Sequence, residues 1–361
     1  MKARKVYVYD LQVGMELAEP VLTDTGNVLL HAGQKLSERH LEAFAVWDIP
    51  YAIIFEPVVS DTSKLDADAS VPLIVQFKQM ASAESAMSVM DPQRNKFCDI
   101  TDYVREHRHV PMDSFKELSG SLLQAALNDP SAAIICATRP DSVWPAIINH
   151  SIMVTLLALK IASLCERPVK EMLILTMAAL LHDIGKLDLP ENFSPYERDL
   201  DVTDESVYRE HVKNGIMLIL STEVMPGGVT VAIAQHHEAE DGTGFPLGIK
   251  GDKIALNSKI IAVADFFCNT FHGKNRCNGD ILRAIQQLKA AMYNSLDASV
   301  VVPFISYLER FLAGRIVTLS NGHLAEIVWN HQTRSRPVVR CDDNRVIDLE
   351  KDRSIHITGM A

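Results

Sequence analysis

At 361 residues the chain is long enough for two or three domains, and its 47% apolar and 22% charged residues exclude a disordered or fibrous protein. The net charge of −11 excludes a broad basic face for duplex nucleic acid, so an anionic ligand would need local positive charge such as bound metal. Six cysteines without CxxC spacing exclude a secreted disulfide framework and predict reduced thiols in a cytoplasm.

Residues 1–57 predict a small β-rich module. Val6 and Val8 alternate with Lys5, Tyr7 and Tyr9, Asp24-Thr25-Gly26-Asn27 reads as a turn, residues 36–46 as a helix and residues 51–55 as a strand. The first fifteen residues lack the apolar run of a signal peptide. Residues 58–71, rich in Ser, Thr and Asp, predict a linker. Residues 72–140 predict a helical connecting region, with its clearest apolar stripe over 115–127, stopped by Asn128-Asp129-Pro130.

Residues 141–313 predict a helical core, with helices near 147–165, 170–182, 210–220, 229–237, 258–271, 281–292 and 301–312. The second of these is apolar nearly all round, which predicts burial. The longest apolar stretch, residues 151–165, is interrupted by Lys160 and is predicted too short to span a membrane. Residues 314–361 predict a β extension, with short β-like runs at 315–317, 325–329 and 337–340 and a turn at Asn321-Gly322.

Several ionisable residues interrupt the apolar helices of the core. His182-Asp183 ends one, within LLHDIGK, and His236-His237 ends another, within AIAQHHE. Asp265 lies inside IIAVADFF, His150 opens HSIMVTLLAL, and His211 sits in REHVKNG. A lone buried histidine is more often a satisfied core residue than a ligand, but five such features between His150 and Asp265 favour a metal centre, where a cation offsets the desolvation cost. Histidine and carboxylate without thiolate suit Fe, Mn, Ni, Zn or Co, with Fe or Mn favoured. The donors are too many for one tetrahedral ion and suit two ions sharing a carboxylate. A pair of ions about 3.5–4 Å apart clamps a phosphate and produces hydroxide near neutral pH. Spacing alone leaves the bridging residue open.

LLHDIGK, EHVKNG, HHEAEDGTGFPLG and VADFF, in this order, resemble the HD-GYP family of HD-superfamily cyclic di-GMP phosphodiesterases. The resemblance covers about residues 146–312. It extends to the N-terminal YDLQVGMELAEPV and GNVLLHAGQKLSERH and to the C-terminal VTLSNGHLAEIVWNH. It implies a mainly α fold, an HD-type helical bundle metallohydrolase core flanked by small N-terminal and C-terminal β-rich modules. By resemblance, His150, His182, Asp183 and Asp265 hold one ion, Asp183 bridges, and His211, His236 and His237 hold the other. Lys186 contacts a substrate phosphate, and Gly185 lets the backbone turn tightly. The Gly244-Phe245-Pro246 loop shapes the site and is a candidate contact for a protein partner, with Asp241-Gly242 forming its tight turn.

The implied reaction is metal-dependent hydrolysis of cyclic di-GMP to pGpG, and further to GMP, by activated hydroxide, with Asp183 and Lys186 as catalytic residues. Three departures qualify it. Phe245 replaces the tyrosine that names the family, and Ala146 replaces a glutamate that some members use for a third ion. After Asp265, Cys268-Asn269-Thr270 and Gly273-Lys274-Asn275-Arg276 replace Asp-Ala-Leu and Arg-Pro-Tyr-Arg, leaving Lys274 and Arg276 as candidate substrate contacts. Two other readings stay open: a non-catalytic metal- or nucleotide-binding signalling module, and a hydrolase of a different cyclic dinucleotide or nucleoside phosphate.

Overall fold

A computed structural model describes residues 3–7, 11, 14–22, 28–37, 40, 51–55, 90–128, 134, 145–189, 205–222, 224–271, 281–328, 336–343 and 345–360. The predicted turn at Asp24 to Asn27, most of the predicted helix at 36–46, the linker at 58–71, and Lys274 and Arg276 lie outside these residues. The chain divides into two compact units, residues 1–69 and 70–361.

In the first unit, β1 (Ala3–Tyr7) pairs antiparallel with β4 (Tyr51–Phe55), and β2 (Val21–Leu22) pairs antiparallel with β3 (Val28–Leu30). Leu11, Leu17, Val21, Leu30, Leu36, Ala52 and Ile54 form its small core. The predicted strand at 51–55 is β4.

The second unit is built on helices. They are α1 (Asp91–His107), α2 (Met112–Asn128), α3 (Ala146–Leu164), α4 (Val169–Leu181), α5 (Glu205–Leu220), α6 (Gly227–Gln235), α7 (Leu256–Asn269), α8 (Ile281–Ala291) and α9 (Ala298–Leu312). Helix α2 ends at Asn128, where the Asn-Asp-Pro stop was predicted. Helices α3, α4 and α6 each begin directly after a proline, Pro145, Pro168 and Pro226, whose ring fixes φ near the helical value and sacrifices no needed N–H. Helix α1 lies within the predicted helical connecting region, where its own span was not delimited. Its buried set is sparse (Phe97, Ile100 and Val104 with Thr101 and Arg94), so its apolar stripe is thin. Arg94 Nε donates to Asn149 Oδ1 at 3.1 Å, which fastens α1 to α3 beside His150.

Helix α3 is the centre of the bundle. With 19 residues it is longer than the stretch 151–165 read from sequence, and by length and composition alone it is apolar enough to cross a membrane. Every residue from Ile148 to Leu159 is nonetheless buried, with α4 and α7 packed against it. Its apolar surface is therefore consumed by the protein core.

The C-terminal strands β5 (Ile316–Leu319), β6 (Leu324–Val328), β7 (Val338–Cys341), β8 (Val346–Asp348) and β9 (Ile357–Met360) form one antiparallel sheet in the order β8-β7-β6-β5-β9. Strands β8 and β9 were not predicted: one is three residues long and the other contains Gly359, so neither carries a readable alternation. In β6 the residues alternate, with Ala325 and Ile327 inward. Val317, Leu319, Ala325, Ile327 and Val339 belong to the same apolar core as the helices.

The segment after α4 is a 3-10 turn, Ile184–Asp188, packed on α5. A Cβ on Gly185 would lie 1.9 Å from the His211 carbonyl oxygen and 2.4 Å from the Gly215 nitrogen, both backbone atoms. Gly185 thus lies within the tight turn that the resemblance implies and is also required there by close approach of two main chains. Gly185→Ala is expected to cost about 3 kcal/mol or more, since neither neighbour can yield. A lowered denaturation midpoint with an unchanged m-value would show it.

Candidate metal centre

Five helices deliver the ionisable residues to one point. His150 lies one turn into α3, and His182 and Asp183 follow the last residue of α4. His211 sits within α5, and His236 and His237 follow the last residue of α6. Asp265 comes from α7. The carbonyls of a helix's last turn lack intrahelical partners, and a histidine just beyond the end can satisfy one. His182 Nδ1 donates to the Ala179 carbonyl at 2.8 Å, and His236 Nδ1 to the Ile233 carbonyl at 2.7 Å. His211 Nδ1 meets the Tyr208 carbonyl at 2.6 Å. Each contact places the ring proton on Nδ1 and leaves Nε2 as a lone pair facing inward, the form that binds a cation.

Asp183 stands between two groups of donors. Its Oδ2 lies 3.4 Å from His150 Nε2 and 3.3 Å from His182 Nε2. Its Oδ1 lies 3.4 Å from His211 Nε2 and 3.9 Å from His236 Nε2. Asp265 Oδ1 is 2.9 Å from His150 Nε2 and 3.9 Å from His182 Nε2, and His211 Nε2 is 3.4 Å from His236 Nε2. His150, His182 and Asp265 form one compact set of possible ligands, and Asp183, His211, His236 and His237 another. Donors bound at about 2.1 Å to one ion sit about 3.0–3.4 Å from one another in octahedral or tetrahedral geometry. The observed spacings fall close to that range.

The electrostatics fit cations as well. His182 Nε2, Asp183 Oδ1 and His237 Nε2 are buried without a hydrogen-bond partner, and each such atom costs about 1–3 kcal/mol unless something coordinates it. Burial pushes His211 down to about 4 despite the nearby Asp183 charge, and burial with His182 and His211 alongside pushes His236 down to about 3. His237 is held well below its ordinary value by burial and then by His236 and His211. Burial alone would raise both carboxyls. The neighbouring His182 and Lys186 instead hold Asp183 well below the usual range, and the contact with His150 holds Asp265 at about 2. These are neutral imidazoles and ionised carboxylates, the protonation states a metal needs. His150 differs. Burial lowers it, but Cys268 and then Asp183 and Asp265 carry it well above its ordinary value, so a cation entering there displaces a proton.

Lys186 does not face open space. Its Nζ donates to Asp183 Oδ2 at 2.6 Å and lies 4.9 Å from the centre of the Tyr208 ring. Ala146, the first residue of α3, offers no donor one turn before His150. The Gly244-Phe245-Pro246 loop closes over the second ligand set. A Cβ on Gly244 would come within 2.4 Å of the His237 carbonyl oxygen and the Ala239 nitrogen, so only glycine permits this approach. Phe245 stacks on His237 with ring centres 4.6 Å apart, and its missing hydroxyl leaves that packing intact. Glu238 accepts from the Leu247 and Ile249 N–H groups at 2.6 and 3.0 Å, and Asp241 accepts from Thr243 N–H at 2.9 Å around Gly242 at φ +83°. A cavity of 320 Å³ opens beside the ligands, lined by His236, His237, Phe245, Phe266, Asn269 and Arg209 among others.

Tyr208, Glu238 and Arg209 were not singled out from sequence. Tyr208 and Glu238 stand at fixed short offsets from ligand histidines, and that offset was the available signal. Arg209, whose guanidinium lies 4.6 Å from the Phe245 ring centre, had no such signal.

Comparisons with known proteins bear on the same segment. Residues 136–300 match the sequence model described as HD domain. The chain is 27% identical over 220 residues to a cyclic di-GMP phosphodiesterase of Pseudomonas aeruginosa, covering 61% of this chain and 52% of that protein. It is 33% identical over 91 residues to 3'3'-cGAMP-specific phosphodiesterase 2 of Vibrio cholerae, covering 25% of this chain and 17% of that one. The chain thus spans about half the length of the first relative and less of the second. Its fold is similar to that of Bd1817, an HDG"Y"P protein from Bdellovibrio bacteriovorus, with a TM-score of 0.53, 16% identity, and coverage of 85% of this chain and 100% of that one.

Because Asp183 approaches histidines of both groups through its two oxygens, removing it differs from removing a one-sided residue. Metal content by elemental analysis is expected to fall from two ions to none in Asp183→Ala. It is expected to fall to about one in Asp265→Ala or His237→Ala.

Proposed function

We propose that this chain, whose residues 136–300 match an HD domain, is a metal-dependent phosphodiesterase of the HD-GYP type acting on cyclic dinucleotides, with cyclic di-GMP as its substrate. The observation that carries the reading is the buried Asp183 carboxylate with two histidine groups on its two oxygens. His150, His182, Asp183 and Asp265 are the ligands of one divalent cation. Asp183, His211, His236 and His237 are the ligands of a second. Fe or Mn is favoured over Ni or Zn for this mixed histidine and carboxylate set. Such ions, when bound, supply Lewis-acid charge for phosphate oxygens and lower the pKa of water.

The remaining work falls to the protein's own groups. Lys186 is a buried ammonium already at the centre, so it can take up a phosphate oxygen and steady charge as it develops there. The three Nδ1–carbonyl contacts fix the imidazole rings before substrate arrives, so no reorganisation is needed at the moment of reaction. The cavity beside His236, His237 and Asp265 has aromatic walls in Phe245 and Phe266, suited to the flat face of a nucleobase. Gly244 and Phe245 of the Gly244-Phe245-Pro246 loop line that cavity, and Lys274 and Arg276 are further candidates for phosphate contacts.

A second reading has an observation of its own: the Vibrio relative named as specific for 3'3'-cGAMP favours a mixed purine dinucleotide as substrate. Metal-loaded protein should be incubated with cyclic di-GMP and with 3'3'-cGAMP, and products followed by chromatography. Cyclic di-GMP is expected to be opened to pGpG and then to GMP, with no turnover in His182→Ala. Lys186→Ala is expected to retain its metals and lose about 10²–10³-fold in turnover number. Faster cleavage of 3'3'-cGAMP would select the second reading. No turnover of either substrate with Fe(II) or Mn(II) bound would leave a binding module instead.

A further inference from the structure

His182, His211 and His236 are aimed at the centre by main-chain carbonyls. At His150 the group that meets Nδ1 is a side chain: Cys268 Sγ lies 3.6 Å away, and both residues are buried. The next residue does the same for a carboxylate, since Asn269 Nδ2 donates to Asp265 Oδ1 at 2.9 Å. Asp265, Cys268 and Asn269 stand at positions i, i+3 and i+4 of α7, so they share one helical face, turned toward α3 and the ligands. This is the segment where the sequence departs from the pattern of the HD-GYP resemblance.

We infer that Cys268 and Asn269 are positioning residues for one of the two metal ligand sets, Cys268 orienting His150 and Asn269 orienting Asp265. The inference rests on the reading of His150 and Asp265 as metal ligands. An imidazole that binds a cation through Nε2 carries its proton on Nδ1, and an acceptor at Nδ1 fixes both tautomer and ring plane. The Cys268 sulfur is a weak acceptor, but it lies in the buried interior, where a weak contact counts for more than in water. Asn269 holds one oxygen of Asp265 while His150 approaches the same atom, so the carboxylate cannot rotate freely away from the centre. Thr270 adds a third constraint, with its Oγ1 donating to the Phe267 carbonyl at 2.7 Å at the end of the helix.

Mn(II) binding by competition with a chromophoric chelator tests this in the full chain. Cys268→Val keeps the side-chain bulk and removes the polar atom, whereas Cys268→Ser keeps an acceptor. In Cys268→Val, affinity at one of two sites is expected to fall about 10–100-fold with the other unchanged, and in Cys268→Ser most of it is expected to return. Asn269→Leu is expected to weaken the same single site, and it carries the test by itself should Cys268→Val fail to fold. Wild-type affinity at both sites in Cys268→Val, or equal losses in the valine and serine variants, would overturn the inference. A wild-type protein that binds no Mn(II), Fe(II) or Zn(II) would instead remove the ligand assignment on which it depends.

Discussion

The structure turns on one buried carboxylate. An isolated ionised carboxylate in a protein interior costs several kcal/mol even after relaxation. Asp183 is buried with both oxygens surrounded by nitrogen: Lys186, His150 and His182 on one, His211 and His236 on the other. Burial works against its ionisation, and the surrounding positive charge overrides burial. Each of its two sides faces a different group of candidate metal ligands. The bundle is arranged to bring those sides together.

Helix ends do most of that arranging. The C-termini of α4 and α6 carry the negative end of the helix dipole, which favours positive charge, and each places histidine just past its last turn. The carbonyls left over at those termini orient the rings. Gly185 and Gly244 then allow main chain to approach main chain, the first at α5 and the second at the His237 segment. The two glycines set how closely the ligand-bearing segments can pack, which fixes the spacing of the donors more rigidly than side-chain packing alone would.

The parts of the fold that were legible in sequence are those with a strong local signal. Helices α3 to α9 are apolar over long windows or have a clear stripe, and their predicted spans lie within a few residues of the observed ones. Helix α1 was not located because its stripe is thin, and β8 and β9 because a two-residue period cannot be read over three or four residues. The grouping of histidines with Asp183 and Asp265 was legible as a chemical anomaly, charge where the surroundings are apolar. The partners that orient them were not, because a carbonyl three residues back leaves no mark on the sequence. Cys268 and Asn269 were visible as departures, but their direction is a property of how α7 packs on α3.

Helix α3 has a consequence for how the chain comes to be made. It is hydrophobic enough to pass for a membrane span, yet in the finished protein it is buried all round from Ile148 to Leu159. One of its covering helices, α7, begins at Leu256, about 90 residues after α3 ends, which at typical ribosomal speed is a delay on the order of 5–20 s. During that interval the nascent chain displays a greasy rod that sorting and chaperone systems can read. Asn149, His150 and Lys160 interrupt that rod with polar atoms, so a candidate metal ligand is among the marks that set this helix apart from a uniformly apolar span.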